Sequence, residues 1–279
     1  MAITTLDGAL AGMKPVQFFD KVLTTTLVAG RPFSLWNLAG IPGAGLVPAT
    51  TAGGVVLSST SALVNGQIPH YDPSAGPLSY LARFSANSQV AGTVELVDRL
   101  WHAGGNSAGA ALSPTLTTAQ TINSAAWPAR DINGASAGGD GVRIALEVLT
   151  TLGAGTPTFT LTYTNQSGTA GRTATNIITV VAASAVGSFY EFGLQAGDTG
   201  VRSIQSLTLS ATATSGTFAL VAYRPLAQLE IVSVNISNSL DLLSGGFVQL
   251  YDGTVPALLF TGNATTAAQV SGSYIEAQG

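Results

Sequence analysis

Between residues 77 and 235 apolar side chains return at every second position. Phe159, Leu161 and Tyr163 alternate with Thr158, Thr160, Thr162 and Thr164, and Val142, Ile144, Leu146 and Val148 alternate less cleanly with Arg143, Ala145, Glu147 and Leu149. A period of two predicts strands with one face turned inward. Tyr80-Ala82-Phe84, Val94-Leu96-Asp98 with Leu100, Ile204-Ser206-Thr208 and Phe218-Leu220-Ala222 extend the series. Turn chemistry separates them: Asn133-Gly134, Gly138 to Gly141, Asn165 to Gly168, Gly197 to Gly200 and Thr214 to Gly216. Short strands without strong helices between them predict an all-β domain, an antiparallel β-sandwich or jelly roll, over 77–235.

The flanks have another texture. Residues 1–76 carry Gly and Pro repeatedly, from Gly30 and Pro32 to Gly53 and Gly54, with Phe18, Phe19, Phe33, Leu35, Trp36, Leu38 and Ile41 between them. A flexible linker would be polar. This stretch is expected to be an extended arm whose apolar contacts are mostly with another chain, through Phe18, Phe19, Phe33, Leu35, Trp36 and Ile41. One short helix is expected within it over Pro15 to Leu23, with Pro15 in the first turn. Residues 236–279 read as a tail. Phe247 to Tyr251 and Ala257 to Phe260, joined through Asp252-Gly253, form an expected hairpin. Pro256 marks an edge position, and Gly272 to Gly279 are a polar end or second arm.

Charge changes the picture from fold to association. Only 9% of the 279 residues are charged, against ~25% in an ordinary soluble domain, and mean hydropathy is +0.38. So bland a surface is expected to lie against other protein. Ten Lys and Arg against 14 Asp and Glu, with no basic cluster, exclude the electrostatic footprint of a nucleic-acid binder and disfavour an anionic membrane surface. There is no cysteine, hence no disulfide, thiolate zinc site or cysteine nucleophile. The stretch Ile177 to Phe189 is broken by Thr179, Ser184, Gly187 and Ser188 and is too short to span a bilayer as a helix. The first residues, Met1 to Asp7, lack the basic and apolar regions of a secretory signal.

No constellation points to catalysis. Gly105-Asn106-Ser107-Ala108-Gly109 and Gly134-Ala135-Ser136-Ala137-Gly138 match G-x-S-x-G, yet both sit in Gly/Ala/Ser-rich loops, and the two histidines, His70 and His102, precede both serines. The order His70, Asp98, Ser136 lacks the usual Asp and Gly around the serine. Asp131, Asn133, Asp140 and Asp198 fit turn chemistry better than a calcium loop, because the alternation after Asn133 falls on Ala135 and Ala137. Two lone histidines make no closed zinc site. Glu95, Asp98, Glu147, Glu191 and Glu230 are the acids available for glycoside chemistry, with Trp101 and Tyr190 beside two of them. Phosphate-loop and dinucleotide fingerprints are absent. No cofactor and no enzymatic activity are expected.

The opening Met1 to Leu10, then Pro15-Val16-Gln17-Phe18-Phe19, Gly30-Arg31-Pro32-Phe33-Ser34-Leu35-Trp36 and Gly40-Ile41-Pro42-Gly43-Ala44, resembles the N-terminal arm of virion structural proteins of tailed bacteriophages. The Ala/Gly/Thr-rich, cysteine-free body is similar to their capsid-bound decoration, or cement, proteins. The resemblance implies a β-sandwich unit, often a homotrimer, made in a host cytoplasm and bound to the major capsid protein on the capsid surface. It carries over no functional residue. A major capsid protein itself would bring a long charged helix and a charged N-terminal region, and neither is present. A tail, baseplate or fibre component, and a carbohydrate-binding or hydrolytic β domain, are the alternative classes.

Overall fold

Strand alternation extends into the segment richest in Gly and Pro. The computed structural model describes residues 3, 5–24, 26–45, 48, 53–60, 66–73, 78–104, 112–135, 138–246 and 248–279. Helix is limited among these to α1 (Leu6–Ala11), whose N-cap Thr5 accepts a hydrogen bond from the Gly8 N–H at 3.0 Å. The strands follow in order: β1 (Gln17–Leu23), β2 (Pro32–Ser34), β3 (Gly40–Ile41), β4 (Val55–Val56), β5 (Ser79–Ser88) and β6 (Gly92–Gly104). Next come β7 (Gln120–Thr121), β8 (Arg143–Thr150), β9 (Phe159–Asn165), β10 (Arg172–Asn176), β11 (Phe189–Gly193) and β12 (Val201–Leu209). The last are β13 (Thr217–Ile231), β14 (Asn238–Asp241), β15 (Gln249–Leu250), β16 (Pro256–Gly262) and β17 (Ala268–Gln278).

All the pairings are antiparallel. One sheet has the order β14-β5-β17-β1-β3, with β15 also on β5. The other runs β2-β16-β6-β13-β8-β11-β10-β9-β12-β7, with β4 on β6. The all-β antiparallel architecture expected from the alternation is therefore the one observed. The large sheet curls on itself. Phe159 of β9 meets Phe218 of β13 edge-on at 5.2 Å although the two strands are not neighbours, and both lie in one core with Trp101, Trp127, Leu146 and Ile204. A second core fills the space between the small sheet and the other end of the large one, around Phe19, Phe84, Leu96, Leu229 and Tyr274.

The long strands β6 and β13 run through both cores. Leu100 and Trp101 face the first core, Val94 and Leu96 the second. The register slips between Ala222 and Tyr223 and again between Pro225 and Ala227. Each bulge re-aims the side chains that follow it, so one strand pair serves two cores. The third apolar cluster, with Trp36, Val97, Phe189 and Tyr223, covers the opposite face of the same strands. β8 is thus buried on both faces, which explains its weaker alternation.

Several expectations are corrected. Pro15 to Leu23 is not helical: burial alternates from Gln17 to Leu23, with Phe19, Lys21 and Leu23 inside, which is the period of a strand. The segments 1–76, 77–235 and 236–279 do not coincide with the sheets, since β1 pairs with β17, β2 with β16 and β4 with β6. No hairpin joins β15 and β16; β15 belongs to the small sheet and β16 to the large one. Pro256 opens β16 at a point that β2, opposite Leu259 to Thr261, does not reach. Gly272 to Gln278 is no free end but part of the central strand β17, with Tyr274 and Ala277 fully buried.

Candidate functional site

The six proposed contact residues divide into buried and exposed. Phe19, Phe33, Leu35 and Trp36 are at most 2% exposed and pack within this chain's own cores. Their assignment to contacts with another chain is therefore corrected. Phe18 and Ile41 have the opposite fate, at 68% and 64% exposure. Phe18, Asp20 and Val22 lie on the outer face of β1, and Ile41 stands opposite Asp20 on β3. Gly40 makes that approach possible: its φ is +139°, and a Cβ there would lie 2.0 Å from the Asp20 carbonyl oxygen.

This exposed stripe continues toward the N-terminus. Val16, Met13, Leu10 and Leu6 are 40–73% exposed, and residues 13 to 23 run beside β17 from Ala277 to Ala268. Leu6, Leu10 and Met13 join Ala82 and Leu243 around an apolar depression of about 480 Å³. Leu243 is itself 75% exposed. Large apolar side chains thus stand in water on β1, on edge strand β3 and around α1, with Leu243 just past the opposite edge strand β14.

The charges lie elsewhere. Of the 24 acidic and basic residues, nine are buried: Lys21, Arg31, Asp98, Arg99, Arg130, Asp131, Glu147, Arg224 and Glu276. Adjacent residues of β6 point to opposite faces, so Asp98 and Arg99 build two separate ion clusters. Asp98 accepts from Arg130 Nε at 3.0 Å and from the Val255 N–H at 2.9 Å, with Arg224 at 4.0 Å. Arg130 also donates to the Gly253 carbonyl. On the other face Arg99 holds Glu147 through two hydrogen bonds of 2.7 and 3.1 Å and lies 4.6 Å over the Trp36 ring. Arg99 Nη2 also donates to His102 Nδ1 at 3.2 Å. Burial and the Arg99 charge hold His102 neutral, with a pKa lowered to about 2.

His70 ties the segment before β5 to the end of the chain. Its Nδ1 is 2.8 Å from Glu276 Oε1, and its Nε2 is 3.3 Å from Asp72 Oδ1 without hydrogen-bond alignment. Burial pulls its pKa down, but the hydrogen bond and charge of Glu276, with Asp72 and Asp98, outweigh that and leave it raised. The order His70, Asp98, Ser136 makes no triad, because both carboxylates on His70 are others and Asp98 is taken by Arg130. Ser136 lies outside the described residues, as does the whole run from Gly105 to Gly109 with Ser107.

The remaining acids do not converge. Asp98 and Glu147 are neutralised by different arginines, and Glu230 is exposed on β13. Glu95 and Glu191 do influence each other: burial, then the Glu191 charge, pushes Glu95 up to about 7, against a smaller pull from Arg143. Glu191 is engaged by Tyr223 Oη–H and lies 3.7 Å from Arg143. Trp101 and Tyr190 are fully buried, so neither offers a sugar-stacking face. Asp131 accepts from the Asn133 and Ala135 N–H groups, a turn-closing role. Asp140 accepts from Thr199, and Asp198 from Tyr163, Asn165 and Arg172. No group of three or more potential metal ligands occurs among the described residues. Sequence reasoning missed the arginines at the centre of the ion clusters. Their signal was their position inside strands, as with Arg99 and Arg224, which otherwise read as core.

No protein-family model and no curated protein matches the chain. Among solved structures, that of infectious bursal disease virus Gt strain is 12% identical, with 95% of this chain and 81% of that chain covered and a TM-score of 0.21. The crystal structure of the infectious bursal disease virus VP2 subviral particle is 10% identical, with 95% and 80% covered and a TM-score of 0.23. At these scores the likeness assigns the chain to no family.

Proposed function

We propose that the chain is a non-enzymatic structural protein of a virion, a decoration or cement protein that binds the assembled capsid and stabilises it. The observation that carries the reading is the exposed apolar margin from Leu6 to Ile41 on a chain that keeps nine of its few charges inside. Large apolar groups in water at a sheet margin are contact surface, and burying each one stabilises a complex by about 1.5–3 kcal/mol. Phe18 and Ile41 are the residues we assign to such contacts. The partners in this reading are two further copies, forming a closed trimer, and the major capsid protein on the outer surface of the particle. Several weak apolar contacts from one trimer raise avidity without any single strong one. Attachment of this kind depends weakly on salt.

Binding the assembled lattice and not the free subunits adds its free energy to the stability of the shell. The test is to localise the full chain on purified particles by cryo-electron microscopy, with native mass measurement of the free protein. Particles lacking it are expected to break at lower temperature and on dilution. Unchanged thermal and osmotic stability after its loss would overturn the cement reading in favour of a tail, baseplate or fibre component. A free monomer that binds or cleaves a glycan would overturn the structural reading altogether.

A further inference from the structure

Four arginines are buried among the described residues, and three of them, Arg99, Arg130 and Arg224, sit within 4.0 Å of a carboxylate. Arg31 does not. It is 4% exposed, no carboxylate lies within ion-pair distance, and its guanidinium makes no hydrogen bond to a described residue; its Nε is wholly buried without a partner. What it has is the face of Tyr190, with the guanidinium carbon 5.0 Å from the ring centroid. A guanidinium stays protonated in any protein environment, and a cation–π contact does not replace the hydration of its donors.

This side chain lines a cavity of about 500 Å³. Leu27, Arg31 and Ser184 are its buried floor, and Thr24, Thr26 and Ala182 stand at its exposed mouth. The floor is built, not incidental. Ser184 Oγ donates to the Val181 carbonyl at 2.6 Å and so accepts from Tyr190 Oη–H at 2.6 Å, which fixes the ring beneath Arg31. The Arg31 N–H donates to the Val28 carbonyl at 3.0 Å, which fixes the backbone.

We propose that the Arg31 cavity binds a monocarboxylate that carries an apolar group. One fork of donors matches one planar carboxylate in two hydrogen bonds. The other walls are mainly Leu, Val and Ala, and the volume is that of a small-molecule site. A phosphate dianion would call for a second cation, and the lining holds no cation besides Arg31. The carboxylate comes either from a free small molecule or from an acidic side chain or chain end of a neighbouring protein. The inference holds whether or not the chain is a virion component.

Benzoate is the probe, titrated into the full chain by calorimetry, with thermal shift as a second readout and inorganic phosphate as the comparison anion. Saturable benzoate binding is expected, tighter than that of phosphate. Arg31→Gln is expected to raise the Kd at least tenfold. Ala182→Trp, at the exposed mouth, is expected to do the same with Arg31 intact, and it carries the test if Arg31→Gln does not fold. No benzoate binding, tighter phosphate binding, or benzoate affinity unchanged in Ala182→Trp would each overturn the proposal. The source is read from native mass. If a neighbouring chain supplies the carboxylate, saturating benzoate dissociates the assembly; if a free molecule does, benzoate binds and the assembly is unchanged.

Discussion

Asp98, Arg99, Arg130, Glu147 and Arg224 are at most 4% exposed in the middle of the molecule, while Leu6, Phe18, Ile41 and Leu243 stand 64–75% exposed along the small sheet. The two regions invert the usual placement of charged and apolar groups. In the middle, β6 and β13 change register to serve two cores. An ion pair tolerates only one geometry there, whereas an apolar contact tolerates sliding. At the margin no geometry is fixed from within, and the same chain leaves apolar area for whatever covers it.

The largest effect on that contrast is expected in the middle. Glu147→Ala leaves the Arg99 guanidinium buried with only His102 and the Trp36 face beside it, and loss of one partner of a buried pair costs about 3–5 kcal/mol. Denaturant unfolding of the variant measures it. The double variant Arg99→Met/Glu147→Leu is expected to recover most of the loss, because an apolar pair of similar volume needs no counter-charge. Equal destabilisation of the single and double variants would mean that the pair does more than neutralise itself. Phe19→Ala belongs to the same scale, about 3–5 kcal/mol, since its ring packs 5.9 Å from Phe84 in the second core.

Phe18 and Phe19 also mark the limit of what could be read beforehand. The period of two was legible wherever one face met Thr or Ser, as in β9, and the all-β antiparallel class followed from it. In β1 both parities carry large apolar groups, Phe18 and Val22 on one face and Phe19 and Leu23 on the other. Alternation was therefore invisible, and the segment read as helix or arm. The buried lysine of the same strand hid it further. Lys21 is 2% exposed, with its ammonium on the Leu38 and Gly43 carbonyls. β15 and β16 were joined by proximity in sequence, although the turn between them passes from one sheet to the other. Of the six contact residues named from the sequence, Phe18 and Ile41 are exposed and the other four are buried. The Arg31 cavity was not legible, because its walls come from residues 24, 26–28 and 31 and from 181–185, which only the fold brings together.

A smaller effect is expected from Glu95, and it sharpens the contrast by pH. Its carboxyl ionises near 4.5 when unfolded and near 7 when folded. Between these values the folded chain binds more protons, so this group's contribution to stability falls as pH rises from 4.5 to 7, by on the order of 2 kcal/mol. His102 works in the opposite direction, because its folded pKa is lowered and acidification below about 6.5 costs stability. The difference between wild type and Glu95→Gln isolates the first contribution. The wild type should fall steadily below the variant across pH 4.5–7, and a flat difference would show Glu95 to be solvated like any surface acid. At higher pH, Lys21 gives a third signature. With its pKa lowered by burial to about 8, from 10.5 unfolded, the chain should gain stability between pH 8 and 10.5, and Lys21→Met should lose that gain.

The smallest change in stability is expected at the margin, and there it carries the most meaning. Phe18→Ser with Ile41→Ser removes two side chains that are 68% and 64% exposed. Surface substitutions of this kind move folding free energy by no more than about 0.5 kcal/mol, so the unfolding midpoint of the isolated chain should hardly move. If the margin is contact surface, native mass or binding to particles should change instead. Losing two buried apolar anchors at about 1.5–3 kcal/mol each weakens a complex by two orders of magnitude or more, since 1.4 kcal/mol is tenfold in Kd. The effect should persist at high salt, because neither residue carries charge. A variant that folds and assembles like the wild type would leave the margin a surface without a partner. A variant that loses folding stability as Phe19→Ala does would mean that the outer face of β1 is covered by this chain itself.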